Sequence, residues 1–141
     1  MQILSKESQG NTVNGQGKIM EVNLQWRLKL FKNPSSVNLL LKIIEEYSSN
    51  CKKSKTIPVF AFLPQKDDLL FIKSNYNFYK DFLSKIKKID NLIVVDVTPN
   101  LLQEENLDKL YSDNNEYGGH YSFDGNKKIA TIFKKELSSI F

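Results

Sequence analysis

The 141-residue sequence is poor in several residues on which specialised sites and folds depend. Cys51 is its one cysteine, which excludes an internal disulfide and a thiol cluster for zinc. No apolar run approaches the roughly 20 residues of a transmembrane helix, and the N-terminal residues contain no apolar stretch like that of a signal peptide. For the chain as written we expect a cytoplasmic protein. An N-terminus further upstream would leave the compartment and any membrane anchor open.

Arginine is scarce too. The net charge of +4 comes from an excess of lysine, and Arg27 is the only arginine. Specific recognition of phosphates and bases commonly uses the planar fork of arginine. The lysines are spread over predicted helix faces, which is typical of a solvated surface, so we expect no nucleic-acid partner. A small basic nucleic-acid-associated protein is a third hypothesis, which requires the lysines to cluster on one face.

Two short apolar runs indicate a parallel sheet. They are IPVFAFL, residues 57–63, and LIVVDV, residues 92–97. Runs of this length without alternation are typical of strands buried on both faces. A 40% hydrophobic content supplies a packed core for one domain. We therefore predict a parallel sheet with flanking helices.

Apolar residues spaced three and four apart predict the helices around these strands. The predicted helices are 21–31, 34–50, a short piece at 67–73, 75–89, one that begins at Thr98-Pro99 and carries Leu101, Leu102 and Leu110, and 124–139. This order gives an α/β fold with three layers. Two strands are fewer than the about five or six of a usual sheet. The domain, residues 21–141, is therefore expected to be incomplete at its N-terminus, after a poorly structured segment 1–20.

The candidate site is the stretch 111–130, YSDNNEYGGHYSFDGNKKIA, which holds His120, the only histidine. Histidine is the side chain best suited to move a proton near neutral pH. A glycine-rich loop before the last helix is where an α/β enzyme would place such a base. The alternative is a structural histidine that bonds to backbone. Gly118 and Gly119 could equally serve backbone angles or substrate approach.

Acidic residues follow both predicted strands. Asp67 and Asp68 come after the first strand, and Asp96 lies near the end of the second. The carboxyl ends of parallel strands are where open α/β sheets bind ligands. Asp67 and Asp68 could bind substrate hydroxyls, or they could be exposed acids at a helix start. For Asp96 we predict that it orders the turn from strand to helix.

Four features together resemble the C-terminal half of the SGNH (GDSL-type) hydrolase family over roughly residues 35–141. They are VFAFLP before a polar loop, LIVVDVT before a helix, the GGHYS loop, and GNKKIATIF opening the last helix. The segment HYSFDGN, residues 120–126, is similar to the last conserved block of that family. The resemblance implies a flavodoxin-like SGNH fold and an ester hydrolase acting on a small-molecule, glycan or lipid ester, such as an acetyl ester. It implies no cofactor, and nothing in the sequence suggests a metal, nucleotide or flavin site.

The same resemblance implies roles for single residues. His120 would take the proton of a serine that attacks the acyl carbonyl and return it to the leaving alcohol. In many family members the acid that orients the histidine lies three residues earlier, where this chain has Tyr117. The nearest substitutes are Asp113 and Glu116, and we favour Asp113 because the glycine-rich loop could fold it back. The residues expected to contact the substrate are Gly119, Ser122 and Asn126.

The sequence also departs from the family. It has no Gly-Asp-Ser block for the nucleophile and no recognisable oxyanion block. Ser122 reads as a cap for the last helix. We therefore expect a fragment, or a domain that is inactive alone; if it is active, Ser5, Ser8 and Ser122 are the first candidates for the nucleophile. The alternative is a non-catalytic α/β interaction module that forms a homodimer through an open sheet edge.

Overall fold

The computed structural model describes residues 15–112, 118–138 and 140. Within them the fold is mixed α/β and mostly helical. The elements, in chain order, are α1 (Gly15–Lys32), α2 (Pro34–Lys53), β1 (Val59–Phe62), α3 (Lys66–Ser74), α4 (Lys80–Ile86), β2 (Ile93–Asp96), α5 (Thr98–Leu101), a 3-10 helix (Leu107–Leu110) and α6 (Phe123–Leu137).

The two strands form a parallel sheet, as their apolar runs predicted. Val59 lies opposite Ile93, and the register continues to Phe62 opposite Asp96. Both strands therefore end at the same edge of the sheet. In the described residues the sheet has two strands, so each strand has one edge that pairs with no other described strand. The mixed α/β class is confirmed at this coarse level.

Alternate strand residues pack on different sides of the sheet, as the period of two requires. One side faces a cluster built mainly from α1, α2 and α4, to which the strands contribute Phe60, Phe62 and Val94. The other side faces a cluster from α3, α5, the 3-10 helix and α6, to which they contribute Val59, Ile93 and Val95. The short sheet thus lies between two groups of helices.

Aromatic rings fill much of the first cluster. The ring of Phe31, near the end of α1, lies 5.5 to 6.3 Å from four other rings, those of Phe62, Phe78, Tyr79 and Phe82. Edge-to-face pairs at such distances add about 0.5–1.5 kcal/mol each to the area they bury. The aromatic contacts therefore hold α1 against the sheet and α4.

Two boundaries differ from the sequence prediction. Residues 15–20, assigned to the poorly structured segment, belong to α1, and residues 1–14 lie outside the described residues. The predicted boundary cut through one helical stripe, because Ile19 lies three residues before Val22 and seven before Trp26. The predicted helix 75–89 is also shorter, since its helical part is Lys80–Ile86. Here the side chain of Asn77 accepts a hydrogen bond from the Tyr79 N–H and forms a turn instead.

The predicted third helix is broken in two. α5 has four residues and ends at Leu101, and the 3-10 helix begins at Leu107. The side chain of Asn106 accepts a hydrogen bond from the Asp108 N–H, which starts a new helix at that point. Apolar spacing linked Leu101 to Leu110 correctly as core residues, because both are buried, but not as parts of one helix.

Candidate active site at the end of β1

The segment that leaves β1, residues 63–68, is the point where distant parts of the chain meet. We call it the β1–α3 corner. Pro64, Lys66, Asp67 and Asp68 are all buried there. The loop before α6, helix α1 and the 3-10 helix each bond to the corner, as described below. It lies at the carboxyl end of β1, where parallel α/β sheets bind their ligands.

The His120 loop is closed by a short antiparallel bridge. Tyr111 and Tyr121 face each other, and their rings stack with centroids 4.9 Å apart. The Ser112 N–H donates to the His120 carbonyl over 2.9 Å, and the Ser122 N–H donates to the Leu110 carbonyl over 2.9 Å. His120 therefore lies at the base of the loop, on backbone with fixed partners.

Both tyrosines of the bridge reach back to the β1–α3 corner. The hydroxyls of Tyr111 and Tyr121 both donate to the Pro64 carbonyl, at 2.8 and 2.5 Å. One carbonyl has two lone pairs, so it can accept both bonds. Burial raises the pKa of Tyr121 to about 12 and raises the pKa of Tyr111 as well, so both hydroxyls stay protonated and can donate near neutral pH.

The glycines before the histidine complete this attachment. The Lys66 N–H donates to the Gly118 carbonyl over 2.9 Å. A Cβ on Gly119 would lie 3.2 Å from Nε2 of Gln65, so the backbone of Gly119 runs close over that side chain. His120 itself is exposed. The corner therefore holds the loop by its backbone while the imidazole-bearing residue faces solvent.

The corner also contains a buried ion group. From α1, Arg27 donates from Nε to Asp68 Oδ1 at 3.0 Å and from its terminal nitrogen to Asp67 Oδ2 at 2.5 Å. The Asp67 and Asp68 side chains are 2% and 5% exposed, and that of Arg27 is 20% exposed. The planar arginine fork suits two neighbouring carboxylates. The only arginine of the chain thus fastens α1 to the start of α3.

The two acids are therefore helix-start residues, but buried ones. Asp68 Oδ2 also accepts the Gln65 N–H at 2.9 Å, which caps the first turn of α3. Burial raises the pKa of Asp67, an effect that the neighbouring Arg27 guanidinium opposes. The second oxygen of Asp67, Oδ1, is buried without a hydrogen-bond partner in the described structure. With their charge engaged by Arg27, the two acids hold the corner together.

The next positive charge along the chain fastens the 3-10 helix. Lys66 is buried at 4% exposure, and its Nζ lies 2.5 Å from Oδ1 of Asp108. Neither the lysine's burial nor this contact was expected from the sequence, because lysine is almost never fully buried unless it is paired. Adjacent residues Lys66, Asp67 and Asp68 thus connect β1 to both ends of the described chain.

The predicted substrate-binding residues surround the start of α6. The Ser122 hydroxyl accepts the Gly125 N–H at 3.1 Å and also bonds to the Lys109 carbonyl, so the prediction that Ser122 caps α6 is confirmed. The Asn126 amide donates to the carbonyls of Tyr121 and Ser122. These bonds fix the junction between the His120 loop and α6. Contact of these side chains with a substrate remains a prediction.

Gly125 has a packing reason that the sequence did not reveal. A Cβ at this position would lie 2.1 Å from the carbonyl oxygen of Leu110, which is closer than atoms can approach. α6 therefore begins in direct contact with the backbone of the 3-10 helix. This close approach also allows the Ser122 N–H to reach the Leu110 carbonyl.

The acids predicted near His120 have different outcomes. Asp113, the favoured partner of the imidazole, and its alternative Glu116 lie outside the described residues, as do Ser5 and Ser8. Asp96 accepts a hydrogen bond from the Thr98 N–H at 3.0 Å, which confirms that it orders the turn after β2. The buried Thr98 hydroxyl bonds instead to the hydroxyl of Tyr79.

A groove of about 520 Å³ lies along the other side of α6. Lysines and acids both line it, and Lys128 forms an ion pair with Glu104 within it. This pair lowers the pKa of Glu104 through the hydrogen bond from Lys128. The groove therefore does not collect positive charge alone, as a nucleic-acid surface would.

Within residues 15–112, 118–138 and 140, no three His, Cys, Asp or Glu side chains form a group that could hold a metal ion. None of the helices described there is long and apolar enough to cross a membrane. Comparisons of the chain with protein-family models, with curated proteins and with solved structures gave no match.

Proposed function

We propose that this chain carries the histidine-bearing part of an ester hydrolase domain similar to the SGNH family, with His120 as its base. The observation that supports the proposal is the attachment of the His120 loop to the β1–α3 corner. It brings an exposed histidine to the carboxyl end of a parallel strand. That edge is the usual ligand site of an open α/β sheet. The flavodoxin-like SGNH sheet, of which β1 and β2 would be two strands, is part of the same proposal.

In this proposal His120 moves one proton in each direction. A serine Oγ attacks the acyl carbon while its proton passes to the imidazole, and the imidazolium then protonates the leaving alkoxide. Water releases the acyl group by the same two transfers. Asp113 would hold the imidazole in the required tautomer. The backbone bonds at the His120 carbonyl fix the residue's position, which keeps the ring within reach of the reacting atoms.

The nucleophile would come from outside the described residues. The hydroxyl of Ser122 is engaged by Gly125 and Lys109, and the hydroxyl of Ser112 donates to the His120 carbonyl over 3.0 Å. A serine that caps a helix or anchors a loop is not oriented for attack on a bound ester. We therefore propose Ser5, Ser8 or a serine of an added polypeptide segment as the attacking residue.

The test is hydrolysis of p-nitrophenyl acetate and p-nitrophenyl butyrate by the purified chain. We expect saturable turnover that His120→Ala reduces by two orders of magnitude or more, since a general base contributes about 10²- to 10⁴-fold. A fluorophosphonate probe, which labels activated serines, should modify the wild type, and mass spectrometry would locate the label. Ser5→Ala and Ser8→Ala then separate the two candidates.

Circular dichroism must show that His120→Ala and the wild type are equally folded. A folded wild type that hydrolyses both esters no faster than His120→Ala, and that takes up no probe, would contradict ester hydrolysis by this chain. That result would favour the alternative, a non-catalytic interaction module that dimerises through an open sheet edge.

A further inference from the structure

Helix α1 is apolar on two opposite faces. Leu24 and Leu28 lie in the core, whereas Ile19, Val22 and Trp26 are 60 to 66% exposed. The exposed three follow the spacing of one helical ridge, since they are three and four residues apart. A helix that is apolar all round is normally buried all round. The outer face of α1 therefore has the composition of a covered surface.

Helix α2 continues this apolar surface. Leu39, Ile43 and Tyr47 recur every four residues along it and are 50 to 62% exposed. Trp26 of α1 lines a groove of about 380 Å³ together with Leu39 and Ile43, so the two ridges are neighbours. We call these six side chains, three from each helix, the α1–α2 stripe.

We infer that the α1–α2 stripe is a homodimer interface, in which α1 of one copy packs against α2 of the other about a twofold axis. The first support is its size. With about half or more of each side chain exposed, the six present on the order of 700 Å². A standard protein interface buries about 800 Å² per partner. A typical monomer has no exposed apolar patch larger than about 300–600 Å².

The second support is the charge beside each ridge. Lys29 follows Trp26 by three residues on α1, and Glu46 follows Ile43 by three residues on α2. Both side chains are exposed. Laying α1 on α2 of a second copy brings unlike charges together, and the twofold axis does so twice. The stripe is thus complementary to itself in charge as well as in apolar character.

Trp26 is the only tryptophan of the chain, and it lies inside the stripe, so its fluorescence reports on the interface directly. We would follow the emission maximum and the molecular mass, by analytical ultracentrifugation, from submicromolar to high micromolar concentration. We expect a blue shift of the emission that follows the same concentration dependence as the formation of a dimer. Ile43→Glu should remain monomeric, with the emission at its red position at every concentration.

Three further variants sharpen the test. Trp26→Glu should raise the dimer dissociation constant at least about thirtyfold, as loss of a central aromatic anchor does. Lys29→Glu should raise it by about three- to tenfold through repulsion from Glu46, and adding Glu46→Lys should restore the dimer. The matched control is Phe123→Glu, because Phe123 is 83% exposed but lies outside the stripe, and this variant should dimerise like the wild type.

Equal far-ultraviolet circular dichroism and melting of all variants would exclude unfolding as the cause. A wild type that stays monomeric with red emission would overturn the inference. A monomer with blue emission that turns red when residues 2–14 are deleted would also overturn it, because the N-terminal segment would then cover the stripe. A dimer that persists in both Trp26→Glu and Ile43→Glu would place the interface elsewhere, at a sheet edge for example.

Discussion

Helices α1 and α6 are fastened to neighbouring parts of the molecule by different means. α1 depends on side chains: the Arg27 guanidinium bonds to two buried carboxylates, and the Phe31 ring packs among other rings. α6 depends on backbone: Gly125 lets its first turn touch the Leu110 carbonyl, and Ser122 bonds to the same region. One attachment carries charge and the other does not.

The outer faces of the two helices differ in the same way. α6 presents Lys127, Lys134, Lys135 and Glu136 to solvent, as an exposed helix normally does. α1 presents Ile19, Val22 and Trp26. The comparison indicates that α6 ends the molecule on its side, whereas α1 is an internal layer of a larger assembly.

Removal of the guanidinium should loosen the α1 side most. We expect Arg27→Met to lower the free energy of unfolding by about 3 kcal/mol near neutral pH, because it leaves two buried carboxylates without their partner. Urea denaturation followed by circular dichroism measures this change. The matched control is Lys52→Met, which removes an ion pair to Asp90 whose side chains are 68% and 86% exposed, and it should have little effect. Equal losses in both variants would contradict the special role of Arg27.

On the α6 side, the corresponding change is Gly125→Ala. The added methyl group cannot fit beside the Leu110 carbonyl, so α6 must shift, at a cost of about 2 kcal/mol or more. Gly119→Ala is the control, since its methyl group would meet only the movable end of Gln65, and we expect a loss below about 1 kcal/mol. Urea denaturation at two pH values should show the same Gly125→Ala loss at both. A strong pH dependence would break the contrast with α1.

The smallest expected effect is a difference in pH dependence. Burial raises the pKa of Asp67 above its ordinary 3.8, so the ionised carboxylate costs stability at high pH, and this cost disappears as the pH falls below that value. The stability of Asp67→Asn relative to the wild type should therefore rise between about pH 3 and about pH 7. The Lys52 hydrogen bond lowers the pKa of Asp90, so Asp90→Asn should show a slope of opposite sign. Slopes of one sign in both would refute the assignment.

Local patterns predicted the strands and most helices well. The apolar runs 57–63 and 92–97 contain β1 and β2, and Pro34 marks the start of α2, with Asn33 as its cap. Such features depend on neighbours in sequence. The helix after Thr98 was predicted too long, because apolar spacing continues across the Asn106 cap that starts a new helix.

Long-range contacts of the candidate site could not be predicted in this way. Arg27 meets Asp67 and Asp68 across 40 and 41 residues, and nothing local encodes that pairing. A single arginine and two adjacent acids before a helix were the only indications. Gly125 was recognised as part of a motif, but its reason, a contact with the Leu110 backbone, required the packing of α6.

The shared carbonyl of Pro64 has a consequence for the order of folding. The tyrosine hydroxyls reach it across 47 and 57 residues of chain. Closing long loops restricts the chain before any contact rewards it, so such contacts form late. The carbonyl can accept them only after the β1–α3 corner exists. We therefore expect the sheet to form first and the segment with His120 to join it last, which makes the site the final part of the molecule to assemble and the first to be lost on local unfolding.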